Sequence, residues 1–284
     1  MINFSTRNET ALAFGAIALE AGKAIMALHP SAVGSWEKSD GSPVTQADLD
    51  ADGIIRSRLA GLMPDVMVIT EETCDPPQDI KLPDRFILVD PLDGTKEFKA
   101  GRDEFTVNIA LIEAGQPAAS ALYAPALQRL YLGGDEAYRA DVRPGQSLPR
   151  LGSMRKLTTA PPPADGLRAV ASRSHLDAST QRWLQDRQID QMCPAGSSLK
   201  FCVIAEGDAD VYPRLAPTME WDTAAGHGIL AAAGGIVLSL DGMALRYGKP
   251  GSGFRNDFFV AWGRPPLPSR HSPGGPAALA SAGL

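Results

Sequence analysis

Residues 88–98 read Leu-Val-Asp-Pro-Leu-Asp-Gly-Thr-Lys-Glu-Phe, so an apolar run stops at Asp90 and a second carboxylate, Asp93, follows beside Gly94 and Thr95. Carboxylates at the carboxyl end of a buried strand are held rigidly at the sheet edge, where α/β proteins place ligands. Pro91 forces a turn after Asp90, and Gly94 allows close backbone approach. Oxygen donors of this kind suit a hard cation and phosphate chemistry. As a bare turn the segment is also ordinary, because Asp, Pro and Gly are frequent turn formers. Two familiar alternatives fail on the residues. A calcium loop counted from Asp90 wants Glu at its twelfth position, where Gly101 stands. An aspartate-nucleophile phosphatase signature aligned on Asp93-Gly94-Thr95 puts the nucleophile at Pro91, which cannot attack phosphorus.

Company elsewhere lifts the segment above a turn. Glu71 and Glu72 follow the short apolar strand 66–69 directly, and adjacent acidic groups repel unless a cation neutralises them. Asp222 precedes a small-residue helix at the position of an N-cap, and Asp is a favoured cap. Thr45 and Asp48 form a capping box in Asp form, so structure alone also accounts for Asp48. The signal is the constellation: Asp48, Glu72, Asp90, Asp93 and Asp222 lie in four separate segments, each at the end or start of an element. Carboxylate oxygens suit Mg²⁺ or Mn²⁺, whereas zinc wants His and Cys at tight spacing, which His29, His175, His227 and His271 do not offer.

The elements that must position these groups follow from periodicity. A first helix is expected over 9–28, with Thr6 and Glu9 as its capping box and Phe14, Ile17, Ala21, Ile25 and Leu28 on one face. A second spans 45–62. Strands follow at 66–70, 85–90, 105–112 and 118–123, with residues 114–117 as a hairpin turn, then a further hairpin over 129–132 and 137–139. The proline-rich span 143–163 breaks the pattern and marks a boundary. Beyond it, strands at 167–172, 189–193 and 209–213 alternate with helices at 177–187, 197–206 and 222–233, before strands near 236 and 258. That order suggests a mainly parallel sheet layered by helices. The expected organisation is an N-terminal α+β half over 1–142 with a mainly antiparallel sheet and most metal ligands. A C-terminal α/β half over 164–263 carries Asp222, and residues 264–284, rich in Pro, Gly, Ser and Ala, form a disordered tail.

With 284 residues the chain can bury ample core in one large or two medium domains. A net charge of -6 argues against nucleic acid or an anionic membrane held by bulk charge, so phosphate binding must rest on local cations. Cys74, Cys193 and Cys202 are an odd, sparse set that reads as reduced thiols in the cytoplasm. The amino terminus has no signal-peptide pattern, and no run approaches transmembrane length.

Glu71-Glu72, residues 90–98, residues 105–117 and Trp221-Asp222-Thr223-Ala224-Ala225-Gly226-His227 resemble the inositol monophosphatase superfamily of Mg²⁺-dependent, lithium-sensitive phosphatases, and the likeness runs from about residue 10 to 261. Residues 172–175, 196–214 and 217–227 are similar to the bacterial 3'(2'),5'-bisphosphate nucleotidase branch. The resemblance implies an α+β or α/β fold, a layered αβαβα sandwich. It also implies hydrolysis of adenosine 3',5'-bisphosphate, and of its sulfated 5' derivative, to AMP or the sulfated mononucleotide and phosphate, clearing a by-product of sulfate activation.

By that resemblance Asp90 bridges two Mg²⁺ ions, for which Mn²⁺ can substitute. The Leu92 carbonyl and Glu72 complete the first site, Asp93 and Asp222 the second, with a weaker third near Asp48 and Glu72. Asp48, Glu72 and Thr95 form the catalytic set, Thr95 and Asp48 flanking the attacking water. Gly94 and Thr95 present backbone N–H groups to the phosphate. His175, Ser197, Lys200 and Arg214 surround base, ribose and second phosphate, Asp222 lies beside the substrate, and Lys38, before the Ser39-Asp40-Gly41 loop, closes over it. On residue type alone, Lys200 and Arg214 equally read as solvated surface charges. The metal ligands are shared with inositol monophosphatase and fructose 1,6-bisphosphatase branches, so those substrates are alternatives, as is a noncatalytic nucleotide or metal sensor. The expected partner is a small nucleoside bisphosphate, not nucleic acid. The expected state is a cytoplasmic monomer or homodimer without an integral membrane segment, peripheral association with the inner membrane being described for some relatives.

Overall fold

The computed structural model describes residues 6–28, 35–37, 43–74, 81–171 and 177–265. Along the chain it forms α1 (Arg7–Ala27), a small ribbon of β1 (Ser35–Glu37) and β2 (Pro43–Thr45), α2 (Gln46–Leu62), β3 (Met67–Thr70), β4 (Arg85–Asp93) and α3 (Thr95–Lys99). An antiparallel run follows: β5 (Thr106–Glu113), β6 (Gln116–Ala124), β7 (Arg129–Gly133), β8 (Ala137–Asp141) and β9 (Arg155–Leu157). The remainder is β10 (Arg168–Ala171), α4 (Ala178–Gln185), β11 (Gln191–Pro194), α5 (Leu199–Ala205), β12 (Val211–Arg214), α6 (Glu220–Ala232), β13 (Ile236–Ser239) and β14 (Phe259–Trp262).

Two-faced burial of the strands dictates the layering. Ile87 and Val89 of β4 point one way and Phe86 and Leu88 the other, and all four are buried. A strand with two apolar faces must be covered on both. The Ile87 face packs against α1 and α2 through Phe14, Ile17, Ile25, Ile55 and Leu59. The Phe86 face packs against α5 and α6, which in turn bury Val170, Tyr212, Val237 and Phe259 of a second sheet. The far side of that sheet is closed by Trp183 and Leu184 of α4 against Val211, Val260 and Trp262. Helix, sheet, helix, sheet, helix is the αβαβα sandwich that the family resemblance implied. Burial of each such aliphatic or aromatic side chain contributes about 1.5–3 kcal/mol.

The first sheet has the order β3-β4-β5-β6-β7-β8-β9, parallel at β3/β4 and antiparallel elsewhere. The second, β11-β10-β12-β14-β13, is less parallel than the mainly parallel sheet expected: β11, β10 and β12 are parallel, but β12/β14 and β14/β13 are antiparallel. A parallel pairing needs a crossover, usually an α-helix, and only the three-residue 3₁₀ turn Pro250–Ser252 lies between β13 and β14. The proline-rich span taken as a boundary is not structureless, since β9 within it pairs with β8 as the last strand of the first sheet. Among the described residues one helix, α1, has the length and hydropathy to cross a membrane, unlike the sequence expectation. Here its apolar residues pack against the first sheet and α2. Of the expected tail, residues 266–284 lie outside the described residues.

Candidate active site

Strand β4 does not end at Asp90. It continues through Pro91 to Asp93 by a β-bulge, Asp90 pairing with Asn108 and Asp93 with Thr106. Two residues of β4 thus oppose Val107 alone, the bulge arrangement in which Pro is tolerated within a strand. The consequence is a change of phase. Side chains three apart on a regular strand face opposite ways, but the extra residue turns Leu92 into the α1/α2 core and lets Asp93 share the α6 side with Asp90. Gly94 then adopts φ +96°, and a Cβ there would lie 3.0 Å from the Glu104 carbonyl, so only glycine fits the turn into α3.

Glu71 completes an acidic cluster. Its N–H donates to the Val89 carbonyl at 3.1 Å, which extends the β3/β4 ladder by one residue and sets Glu71 beside Asp90. Glu71 also shares strand parity with inward-facing Ile69. Carboxylate oxygens of Glu71, Asp90 and Asp222 all lie within 4.8 Å of one another. Glu72, the residue chosen from the sequence, is not in that group; it falls in the turn, one residue out of phase. Asp90, 1% exposed, titrates well above the ordinary carboxylate range through burial, then repulsion from Glu71, Asp93, Asp222 and Asp48. Asp222 is raised likewise, by burial and by Asp93. It stands at the third helical position of α6, not at the N-cap, and accepts the Met219 N–H at 2.9 Å. Buried, mutually repelling carboxylates beside a backbone carbonyl fit a hard divalent cation, which relieves both penalties.

Asp48 serves two partners with two oxygens. Its Oδ2 accepts the Thr45 N–H at 2.7 Å and the Thr45 hydroxyl, closing the capping box of α2, while Oδ1 accepts the Thr95 hydroxyl at 2.9 Å. The same hydroxyl lies 3.2 Å from the Leu92 carbonyl. Capping and a place in the site are therefore one arrangement, not rival explanations.

The opposite wall comes from residues 196–200 and β12. Ser197 sits at φ +49°, a left-handed conformation uncommon for serine, and its hydroxyl meets Thr106 Oγ1 at 2.8 Å and Asp93 Oδ2. Lys200 is 6% exposed, not a solvated charge; its Nζ donates to the Ser197 carbonyl at 2.7 Å and lies 5.5 Å from the Tyr212 ring centre. Burial pushes its pKa down to about 8, opposed by the nearby Asp93 carboxylate. Arg214 is half-buried, its guanidinium donating to the carbonyls of Ala216 and Pro217 at 3.2 and 3.0 Å. The structure thus gathers Asp48, Asp90, Leu92, Asp93, Gly94, Thr95, Ser197, Lys200, Arg214 and Asp222 around one site. Lys38 and His175 lie outside the described residues.

Sequence reading noted Glu71 but chose Glu72 beside it, and it passed over Thr106, Asn108 and Ser198 as site residues. For Thr106 and Asn108 the signal was present: β5 turns Ala110 and Ile112 inward, and the same parity carries both, polar side chains on an apolar face. Asn108 Nδ2 donates to the Ser198 hydroxyl at 3.0 Å, and Ser198 N–H donates to Asp93 Oδ2 at 2.7 Å.

Comparison with known proteins identifies the family. Residues 6–258 match the inositol monophosphatase family. The 3'(2'),5'-bisphosphate nucleotidase CysQ of Salmonella typhimurium is 42% identical over 247 residues, covering 86% of this chain and 95% of that protein. The namesake from Aggregatibacter actinomycetemcomitans is 33% identical over 250 residues, 86% of this chain and 89% of that one. Among solved structures, CysQ from Bacteroides thetaiotaomicron, a bacterial member of the family, superposes with a TM-score of 0.77 at 34% identity, covering 90% of this chain and 98% of that one. An inositol monophosphatase from Anabaena, 20% identical and covering 90% of this chain and 91% of its own, shares the fold with a TM-score of 0.66. With its family match, its layered fold and its carboxylate cluster at the end of β4, the chain belongs to the inositol monophosphatase family.

Proposed function

We propose that the protein is a Mg²⁺-dependent phosphatase that hydrolyses adenosine 3',5'-bisphosphate to AMP and phosphate, and its sulfated derivative by the same chemistry. The observation that carries the reading is that a buried cation, Lys200, is tied through Ser197 to the carboxylate of Asp93. A substrate with two phosphates uses both: one at the carboxylate side, one at the cation. The resemblance of residues 196–214 to bisphosphate nucleotidases supports the same assignment.

Glu71, Asp90, the Leu92 carbonyl, Asp93 and Asp222 would hold the cations, two in number, with Mg²⁺ favoured by an all-oxygen donor set. Bound there, Mg²⁺ acidifies water and offsets charge on the phosphoryl oxygens. The chain's own part is orientation and proton transfer. Thr95 Oγ1 accepts a proton from the attacking water as it passes its own to Asp48 Oδ1, the oxygen not committed to the cap. The first N–H groups of α3, without intrahelical acceptors, face the phosphoryl group from Gly94 and Thr95. Lys200 and Arg214 take the second phosphate, and cytoplasmic action as a monomer or homodimer accords with a small soluble substrate.

The test is phosphate release from adenosine 3',5'-bisphosphate and inositol 1-phosphate side by side, in Mg²⁺ and then in EDTA. Mg²⁺-dependent preference for the nucleotide is expected. Preference for inositol phosphate would leave the cation site standing and overturn the substrate assignment; no turnover of either would favour a noncatalytic sensor.

A further inference from the structure

We infer that Ser198 is a positioning residue for the cation site: its buried hydroxyl, oriented by Asn108, decides which oxygen of Asp93 faces the cation and ties that carboxylate to Asp222. The inference rests on the cation-dependent reading above. Ser198 is 3% exposed and Asn108 1%, so both act through other groups and not on substrate. Ser198 occupies the N-cap of α5, yet its side chain makes no capping hydrogen bond there. The ordinary reason for serine at that position, acceptance of a helix N–H, therefore does not explain it.

The hydroxyl is instead spent across three elements. Asn108 Nδ2, from β5, donates to Ser198 Oγ at 3.0 Å, which occupies an acceptor lobe and turns the single hydroxyl proton toward the other side. On that side stand Asp93 Oδ2 at 2.6 Å and the backbone carbonyl of Asp222. Oδ2 receives two further donors, the Ser198 N–H at 2.7 Å and the Ser197 hydroxyl. The Ser198 N–H is committed to Oδ2, and the one Ser198 hydroxyl proton is shared between Oδ2 and the Asp222 carbonyl, so Oδ2 is the oxygen engaged by the protein and Oδ1 is left to face a cation. The same serine fixes the start of α6, where Asp222 resides, relative to the end of β4. Groups that orient metal ligands from behind typically change metal affinity by about 10–100-fold when removed.

The experiment is calorimetric titration of metal-free protein with Mg²⁺ for the parent, Ser198→Ala and Asn108→Ala, with melting temperatures in EDTA and kinetics at graded Mg²⁺. Ser198→Ala is expected to weaken Mg²⁺ binding at least about tenfold. Its kcat should recover as Mg²⁺ is raised, with KM for adenosine 3',5'-bisphosphate at saturating Mg²⁺ within about twofold of the parent. Asn108→Ala, which frees the hydroxyl to rotate, should shift Mg²⁺ affinity in the same direction and less. A fall in melting temperature with Mg²⁺ affinity unchanged in both variants would make these residues structural only and overturn the inference. Failure of the parent itself to bind Mg²⁺ would overturn the functional reading as well, so the two failures are distinct.

Discussion

On the β4 side of the site the charges are carboxylates crowded together, whereas on the α5 side they are cations anchored singly. Asp90 is 1% exposed and pushed toward protonation by burial and by Glu71, Asp93 and Asp222. Lys200 and Arg214 are instead each fixed by backbone carbonyls, of Ser197 and of Ala216 and Pro217. The acidic wall carries an unrelieved crowding of charge, whereas on the basic wall Lys200 spends one donor on a backbone carbonyl and Arg214 two. On the proposed function, the chemistry of the reaction would reside on the first wall and the choice of substrate on the second. The Gly196-Ser197-Ser198 turn is the hinge of that division, because it donates to Asp93 and carries the carbonyl that holds Lys200.

Breaking the acidic wall has the largest expected effect. Asp90→Asn should lower kcat below about one ten-thousandth of the parent by removing an inward carboxylate that no neighbour replaces. It should also raise the melting temperature in EDTA. The sign follows from linkage: Asp90 binds its proton more tightly folded than unfolded, so as pH rises above about 4 the unfolded chain releases a proton that the folded chain keeps, and stability falls. The gain from Asp90→Asn should thus be larger at pH 7 than at pH 4.5, measured by calorimetric melting without metal. A variant less stable than its parent at both pH values would contradict the crowding argument.

Next in size, Thr95→Val and Asp48→Asn should each lower kcat by about 10²–10⁴-fold, the range of a positioned proton acceptor, with KM nearly constant. Loss in KM at constant kcat would move the pair from proton transfer to binding. On the basic wall the effect is smaller and pH-dependent. Lys200, held down to about 8, is protonated below that pH and neutral above it. KM for adenosine 3',5'-bisphosphate should therefore rise by up to about tenfold per pH unit beyond 8 while KM for inositol 1-phosphate does not. A Lys200→Met variant should lack the pH-dependent rise; parallel profiles for the two substrates would detach Lys200 from the second phosphate.

Much of this was legible in the residues. The helix pair and the antiparallel run from β5 to β8 follow from apolar period and turn chemistry, and the αβαβα layering from the family resemblance. The acidic residues at element ends pointed to the site before any geometry. What the residues did not disclose depended on register. Pro91 reads as a strand terminator, but the ladder to β5 continues past it through a bulge, and only that bulge brings Asp90 and Asp93 to one face. Between Glu71 and Glu72, the choice turns on which residue still pairs with β4, a fact of strand alignment that identical side chains cannot carry. Ser198 and Asn108 were hidden for a related reason: a serine before a helix and an asparagine in a strand have ordinary local roles, and theirs become visible only once α5 is set against β5. The antiparallel β14 was legible but not drawn: the strands expected near 236 and 258 had no helix between them, which a parallel pairing would need.

The division between the two walls is tested most directly by kcat/KM for adenosine 3',5'-bisphosphate and inositol 1-phosphate, measured in the parent and in Lys200→Met at saturating Mg²⁺ and pH 7. The account predicts that the parent prefers the nucleotide and that the variant loses at least about tenfold of that preference while its rate on inositol 1-phosphate stays within about twofold. An equal loss on both substrates would show that Lys200 serves the chemistry shared by both and would contradict the separation.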